Sequence, residues 1–305
     1  MKKIVVAPDS FKGSLTSAEV ADAVERGIKD VFPQCNVVKA GVADGGEGTV
    51  EAIVKAVGGD MYAASVTDPL GRPVKAAYGI VRSGGVKTAV MEMSAASGLP
   101  LLLPDELNPW ITSTYGTGEM ISDALNRGCR KFLVGIGGSA TNDAGTGMLS
   151  ALGVRFLDSR GQRLKGCGRD LESIARIDMS SLMPAARESE FIVACDVNPP
   201  FCGADGAARV FAPQKGANPQ TAEALDRGMR SFARVIAGQF QTDIVPLSGA
   251  GAAGGLGGAF KAFLNARLTA GIEMVLDAIA FDSLLEGADP VSYTHLRAHE
   301  TLMNL

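Results

Sequence analysis

Carboxylates, hydroxyls and one lysine are spaced along this chain as if to handle a phosphoryl group. Residues 134–148 read V-G-I-G-G-S-A-T-N-D-A-G-T-G-M, an apolar stretch running into a turn of glycines and hydroxyls with Asn142 and Asp143 but no lysine. Lys12 lies in an earlier polar loop, Asp44 and Glu47 lie in a second, and Asp196 ends the apolar stretch F-I-V-A-C-D. Phosphoryl transfer needs amides and a cation around the phosphates, carboxylates to hold Mg2+, and a base near the acceptor hydroxyl. The same residues also fit plainer roles, with Asp9 and Asp44 forming Asx turns, Lys12 solvated and Asp196 a cap.

Several other chemistries are excluded. Both histidines, His295 and His299, fall near the end of the chain, so Ser-His-Asp, Cys-His and histidine-rich metal sites are ruled out for its body. The dipeptide Gly-Lys occurs nowhere, which removes the P-loop. The segments G135-I-G-G-S-A140 and G249-A-G-A-A-G254 match dinucleotide-binding patterns, but neither lies in the first strand-helix-strand unit. A nicotinamide-dependent oxidoreductase using the second segment is the competing reading.

Composition agrees with an enzyme acting on a small molecule. The chain has 305 residues, 46% of them apolar, and a formal charge of -4, so a sizeable core is affordable and a nucleic-acid partner is not expected. No apolar run approaches the roughly 20 residues of a membrane span, and the opening M-K-K-I-V-V is too short for a signal peptide. Cys35, Cys129, Cys167, Cys195 and Cys202 are odd in number and form no C-x-x-C pair, as in a cytoplasmic protein with reduced thiols.

The elements that must position these residues read as alternating strands and helices. A strand over residues 2–7 leads through a loop at 8–14 to a helix over 17–30, with Thr16 and Glu19 as a capping box. A strand over 36–43, a loop at 44–49 and a helix over 49–57 repeat the unit, which predicts a parallel sheet. Residues 61–93 read as an antiparallel meander turning at D68-P-L-G71 and S83-G-G85. Beyond them come helix 119–126, strand 131–136, helix 147–152, a strand pair around 158–161, strand 190–197, helix 219–239, strand 243–247 and helices from 259 and 272. Glycine-rich loops at 9–14, 44–49, 137–147 and 248–258 would then gather at the carboxyl ends of strands, where anions meet helix N-termini.

The motifs A-P-D-S-F-K-G-S-L-T, D-G-G-E-G-T, G-G-S-A-T-N-D, C-D-V-N-P-P followed by G-A-A-R-V-F-A-P-Q-K-G-A, and G-A-A-G-G-L-G-G occur in one order that resembles the bacterial glycerate kinases, over residues 1 to about 289. The resemblance implies phosphorylation of D-glycerate with ATP and Mg2+, usually at the 2-hydroxyl, with the 3-hydroxyl as the other option. It also implies two α/β domains with the active site between them. One is flavodoxin-like and inserted (residues 94–282) in a discontinuous domain made of 1–93 and a return at 283–289. Asp196, Lys12 and Asp44 are the expected catalytic residues. Asp9, Ser10, Ser14, Glu47, Ser139, Thr141, Asn142, Asp143, Lys215, Gly254 and Gly255 are expected around substrate and nucleotide. Lys12 and Lys215 would supply positive charge to the lysine-free loop. The metal ligands stay unassigned, and the oligomeric state is left open, a homodimer included.

The end departs from the family pattern. P290-V-S-Y-T-H-L-R-A-H-E-T-L-M-N-L305 carries few apolar positions at strand or helix spacing and reads as a non-native tail, such as a translated adapter, that truncates the gene. Residues 290–305 are therefore expected to be disordered or loosely packed, to be removable without loss, and to leave an inactive truncated kinase domain as a third reading.

Overall fold

The computed structural model describes residues 2–294 except Ser10, Lys12, Gly13, Ala43–Gly45, Glu47, Gly84 and Pro290. The chain opens with strand β1 (Lys3–Pro8), whose continuous apolar run is buried on both faces, as a central parallel strand must be. Helix α1 (Ser17–Val31) starts at the expected capping box. Thr16 Oγ1 accepts from the Glu19 amide, and Glu19 Oε2 accepts from the Thr16 amide. Strand β2 (Asn36–Lys39) and helix α2 (Thr49–Val57) follow, and α2 stops at Gly58 in a left-handed conformation, φ 78°.

Strands β3 (Gly59–Thr67), β4 (Pro73–Ser83) and β5 (Val86–Glu92) form the antiparallel meander. Asp68 sets its first turn by accepting from the amides of Leu70 and Arg72. The chain continues through α3 (Ser94–Ser97), α4 (Tyr115–Asn126), β6 (Lys131–Gly135), α5 (Thr146–Ala151), β7 (Arg155–Leu157), β8 (Arg176–Asp178), α6 (Pro184–Arg187) and β9 (Glu190–Ala194). It closes with α7 (Ala207–Phe211), α8 (Pro219–Phe240), α9 (Ala252–Leu264), β10 (Arg267–Thr269), α10 (Gly271–Ala278), α11 (Phe281–Leu285) and β11 (Val291–Thr294).

Two sheets carry the site, giving the mixed α/β class expected. The smaller has the all-parallel order β2-β1-β11, and the larger runs β10-β9-β6-β5-β4-β3. Within the larger sheet, β5, β6, β9 and β10 are parallel. Reversal of strand order about a central first strand, typical of flavodoxin-like sheets, thus occurs in the smaller sheet, while the larger is monotonic. One face of the larger sheet buries Phe132, Val134, Phe191 and Val193 with side chains of α4, α5, α8 and α9. Its other face packs Val90, Leu133 and Ile192 against Val50, Ile53 and Val54 of α2 and Met274 and Val275 of α10.

Two expectations need correction, the strand over 243–247 and the tail. β5 pairs with β6 from Thr88↔Lys131 to Glu92↔Gly135, so the larger sheet continues across position 93/94. The pattern of a meander does not say which sheet its last strand joins. Residues 243–247 form a turn, in which Asp243 Oδ1 accepts from the Val245 amide and Pro246 lacks a donor, and the outer strand is β10. The strand pair around 158–161 is present as an antiparallel bridge Leu157↔Arg163 across the turn at Asp158, and β7 pairs in addition with β8.

The tail is the second. Residues 291–294 pair in parallel with β1 in the register Val5↔Val291 to Pro8↔Thr294, so this part of 290–305 forms a strand of the smaller sheet. Asp289 anchors the approach, its carboxylate accepting from the amides of Lys2 and Lys3. Truncation after Asp289 is accordingly expected to destabilise the chain by about 2–4 kcal/mol, at roughly 1 kcal/mol for each ladder hydrogen bond lost, and to expose an edge of β1. Denaturant unfolding and dye binding of the truncated chain check this, and an unchanged midpoint would return 290–305 to the status of a passive tail.

Candidate active site

The carboxyl ends of parallel strands collect backbone donors and polar side chains at one rim of a sheet. Here the ends of β6 and β9 open onto a cavity of about 280 Å³. Its walls are residues 136–139 after β6, residues 194–197 at the end of β9, Lys215, and Gly46 from the loop that precedes α2. Both sheets therefore contribute to one cleft.

The loop after β6 is held from behind. Asp143 is fully buried, and its carboxylate accepts from the Thr114 amide and hydroxyl at 2.7 and 2.8 Å and from the amides of Gly145 and Gly147 at 3.0 and 3.2 Å. Burial pushes its carboxyl above the usual range, and the Thr114, Gly145 and Gly147 donors oppose that shift. All its hydrogen-bond partners among the described residues are donors, so the pocket is built for the ionised form. Asp143 thus ties the starts of α4 and α5 together and does not line the cavity. Thr141 Oγ1 and Asn142 Oδ1 are also buried and have no hydrogen-bond partner among the described residues.

The glycines of residues 249–258 interlock with this loop. Ala253, Gly254 and Gly255 are all left-handed inside α9, and the Gly254 carbonyl accepts from the Ala144 amide at 3.0 Å. A Cβ on Gly254 would lie 2.2 Å from the Thr141 carbonyl oxygen. No strand precedes this segment, so it lacks the strand-turn-helix setting of a dinucleotide fingerprint, and the oxidoreductase reading loses its only support. Gly254→Ala is expected to lower stability by about 2–4 kcal/mol, combining left-handed strain with a backbone clash, and to displace residues 139–143. Thermal unfolding and steady-state turnover of the variant check it.

The lysine missing from the loop arrives from the 3-10 turn Pro213–Lys215. Lys215 is 1% exposed, and its Nζ donates to Ser139 Oγ at 2.7 Å and to the Thr141 carbonyl at 2.6 Å. Burial pulls its ammonium down from 10.5 to about 7, against the opposing charge of Asp143. Between those two values the native state binds fewer protons than the unfolded chain, so the contribution of Lys215 to stability rises with pH across that window and is lowest below it.

Asp196 stands on the opposite wall, exposed, with Oδ1 accepting from the Gly271 amide at 2.9 Å. That bond caps α10, and Oδ2 has no hydrogen-bond partner among the described residues. Of the residues expected at the site, the structure brings together Ser139, Lys215 and Asp196, with Thr141, Asn142, Gly254 and Gly255 packed behind them. Asp9 follows the carboxyl end of β1 and is engaged by polar contacts, and Ser14 is exposed in the next turn, neither lining the cavity. Ser10, Lys12, Asp44 and Glu47 lie outside the described residues.

Sequence reasoning missed Glu92, which ends β5 and accepts from the Val50 amide at 3.3 Å, linking the larger sheet to α2. The signal was present, since it closes an apolar strand as Asp196 does. Phe211, Gln214, Cys195 and Ala253 also line the cavity without having been singled out.

No helix among the described residues is long and apolar enough to cross a membrane. Residues 4–294 match the model of the glycerate kinase family. The chain is 47% identical over 289 residues to a glycerate kinase of Haemophilus influenzae, covering 95% of this chain and 76% of that one. It is 47% identical over 277 residues to the glycerate 2-kinase of Escherichia coli K12, covering 91% and 72%. The crystal structure of a Salmonella typhimurium LT2 protein assigned as glycerate kinase 2 superposes with a TM-score of 0.93 at 44% identity, over 98% of this chain and 80% of that one. With a family match spanning nearly all described residues and a solved relative superposing over 98% of the chain, the chain belongs to the glycerate kinase family.

Proposed function

We propose that this chain is an ATP-dependent kinase that phosphorylates D-glycerate at the 2-hydroxyl, giving 2-phosphoglycerate and ADP. Family membership sets the reaction class, and the Escherichia coli relative named glycerate 2-kinase supports the choice of hydroxyl. The observation that carries the reading is the cleft itself, with a buried cation on one wall and a tethered carboxylate with a free oxygen on the other.

In the reaction the glycerate hydroxyl oxygen bonds to the γ-phosphorus as the bond to the β,γ-bridging oxygen breaks, ADP leaves, and the hydroxyl proton departs. Asp196 is placed to take that proton or to hold the metal. The amides of the loop after β6, unpaired among the described residues, orient anionic oxygens. No cluster of three His, Cys, Asp or Glu side chains able to hold a metal occurs among the described residues. A metal here would lean on substrate phosphates and one or two carboxylates, which is how Mg2+ is usually bound. The free oxygen of Asp196 fits that hard-donor chemistry, with Asp44 and Glu47 as further candidates. Mg2+ bound there would neutralise charge on the phosphoryl oxygens.

A coupled assay for ADP, run with D-glycerate and other hydroxy acids with and without Mg2+, tests the reading. ADP release that requires both D-glycerate and Mg2+ is expected. Release without an acceptor, or with every acid equally, would overturn it. Product analysis by NMR separates the 2- from the 3-phosphate.

A further inference from the structure

An ammonium has three donor hydrogens, and Lys215 directs two of them to Ser139 and to the Thr141 carbonyl. No acceptor for the third exists among the described residues, although the side chain is buried and lines the cavity. Ser139 Oγ accepts from the ammonium, which leaves its own hydroxyl hydrogen free to turn into the same space. The amides of Gly137, Gly138 and Ser139 are likewise unpaired among the described residues.

A buried ammonium with no carboxylate in contact is costly unless something compensates it. Asp143, the charged group that acts on it from behind the loop, commits both oxygens to backbone and hydroxyl donors. Asp196, the carboxylate lining the same cavity, bonds to the Gly271 amide and makes no ion pair with Lys215. The ammonium of Lys215 is therefore left without an ion-pair partner among the described residues, in the wall of a half-open cavity of about 280 Å³, just below the roughly 300–1,000 Å³ of pockets for larger ligands.

Building on the kinase reading, we propose that Lys215 and Ser139, with the amides of 137–139, form the subsite for the carboxylate of the acceptor acid, and so set its discrimination against uncharged polyols. A single cation matches a monoanionic carboxylate, whereas a triphosphate chain carries several charges and is met by several donors and a metal. With the carboxylate held at Lys215, the acceptor's hydroxyls are directed across the cavity toward Asp196.

Calorimetry of D-glycerate binding without nucleotide, titration of a fluorescent ATP analogue, and both Michaelis constants test the assignment on the full chain. Lys215→Met is expected to weaken D-glycerate binding, and to raise its KM, by roughly 10–100-fold, the loss of one charged hydrogen bond, while nucleotide affinity stays within about twofold. Lys215→Arg should recover little, because a planar fork does not replace a compact ammonium. Ser139→Ala should cost about 2–10-fold in the same direction. The neutral amide of glyceric acid should bind the wild type at least tenfold more weakly than glycerate and bind Lys215→Met equally well.

Loss of nucleotide affinity with glycerate binding unchanged would assign the pair to phosphate and overturn the proposal, as would no change in either. Should circular dichroism show Lys215→Met unfolded, Ser139→Ala and the wild-type comparison of acid with amide decide the matter. If the wild type releases no ADP but binds glycerate in a Lys215-dependent way, the kinase reading falls and the subsite stands.

Discussion

Asp196→Asn is expected to lower turnover by roughly 10²-fold or more, the range observed for loss of a positioned general base or metal-holding carboxylate, with little change in fold. The substitution separates the two tasks of this side chain. An amide oxygen can still accept from the Gly271 amide, the 2.9 Å bond that caps α10, so the helix and the wall it supports should stay in place. What disappears is the negative charge and basicity of a carboxylate that lines the cavity. Unfolding midpoints within about 1 kcal/mol of the wild type, measured beside the rate, would show that the loss is chemical. Wild-type turnover in a folded Asp196→Asn protein would reduce Asp196 to a helix cap.

Asp143→Ala should have the largest effect on stability, about 3–5 kcal/mol, because the substitution leaves the donors of Thr114, Gly145 and Gly147 buried and unpaired. At roughly 2–4 °C per kcal/mol for a chain of this order of size, thermal unfolding should shift by about 10 °C. Asp143→Asn should fall between, since one oxygen still accepts while the amide hydrogens face other donors. The Thr114 hydroxyl, which also accepts from the Met148 amide at 2.9 Å, couples the same network to the start of α5. Loss of activity without loss of stability would instead place Asp143 in the chemistry. A shift below about 1 kcal/mol would mean that its hydrogen bonds are readily replaced by water.

Local chemistry was legible in the sequence because it depends on neighbours a few residues away. The Thr16–Glu19 capping box, the bounds of α2 with Gly58 behind it, the turn at Asp68 and the apolar run of β1 all follow from backbone preference and side-chain period. So did the placing of Asp196 at the rim of the larger sheet, since a carboxylate closing an apolar strand has nowhere else to go. The motif order was likewise enough to point to the family.

What the sequence could not settle is which distant segments meet. Nothing in the pattern of residues 86–92 says that β5 will pair with β6, and nothing in the V-S-Y-T of residues 291–294 says that they will lie beside β1, because a strand's partner is chosen by the whole sheet. The same holds at the site. Lys215 stands 76 residues from Ser139 in the chain and becomes its hydrogen-bond partner only when the turn at 213–215 closes over the loop. Asp143 was expected from the sequence around substrate and nucleotide, and folding turned its carboxylate inward, where the Gly145 and Gly147 amides and the Thr114 amide and hydroxyl needed an acceptor. The sequence by itself determined the elements and the chemical types available to the cleft. The tertiary structure decided which of them face the cavity, because burial and hydrogen-bond satisfaction are settled between segments far apart in the chain.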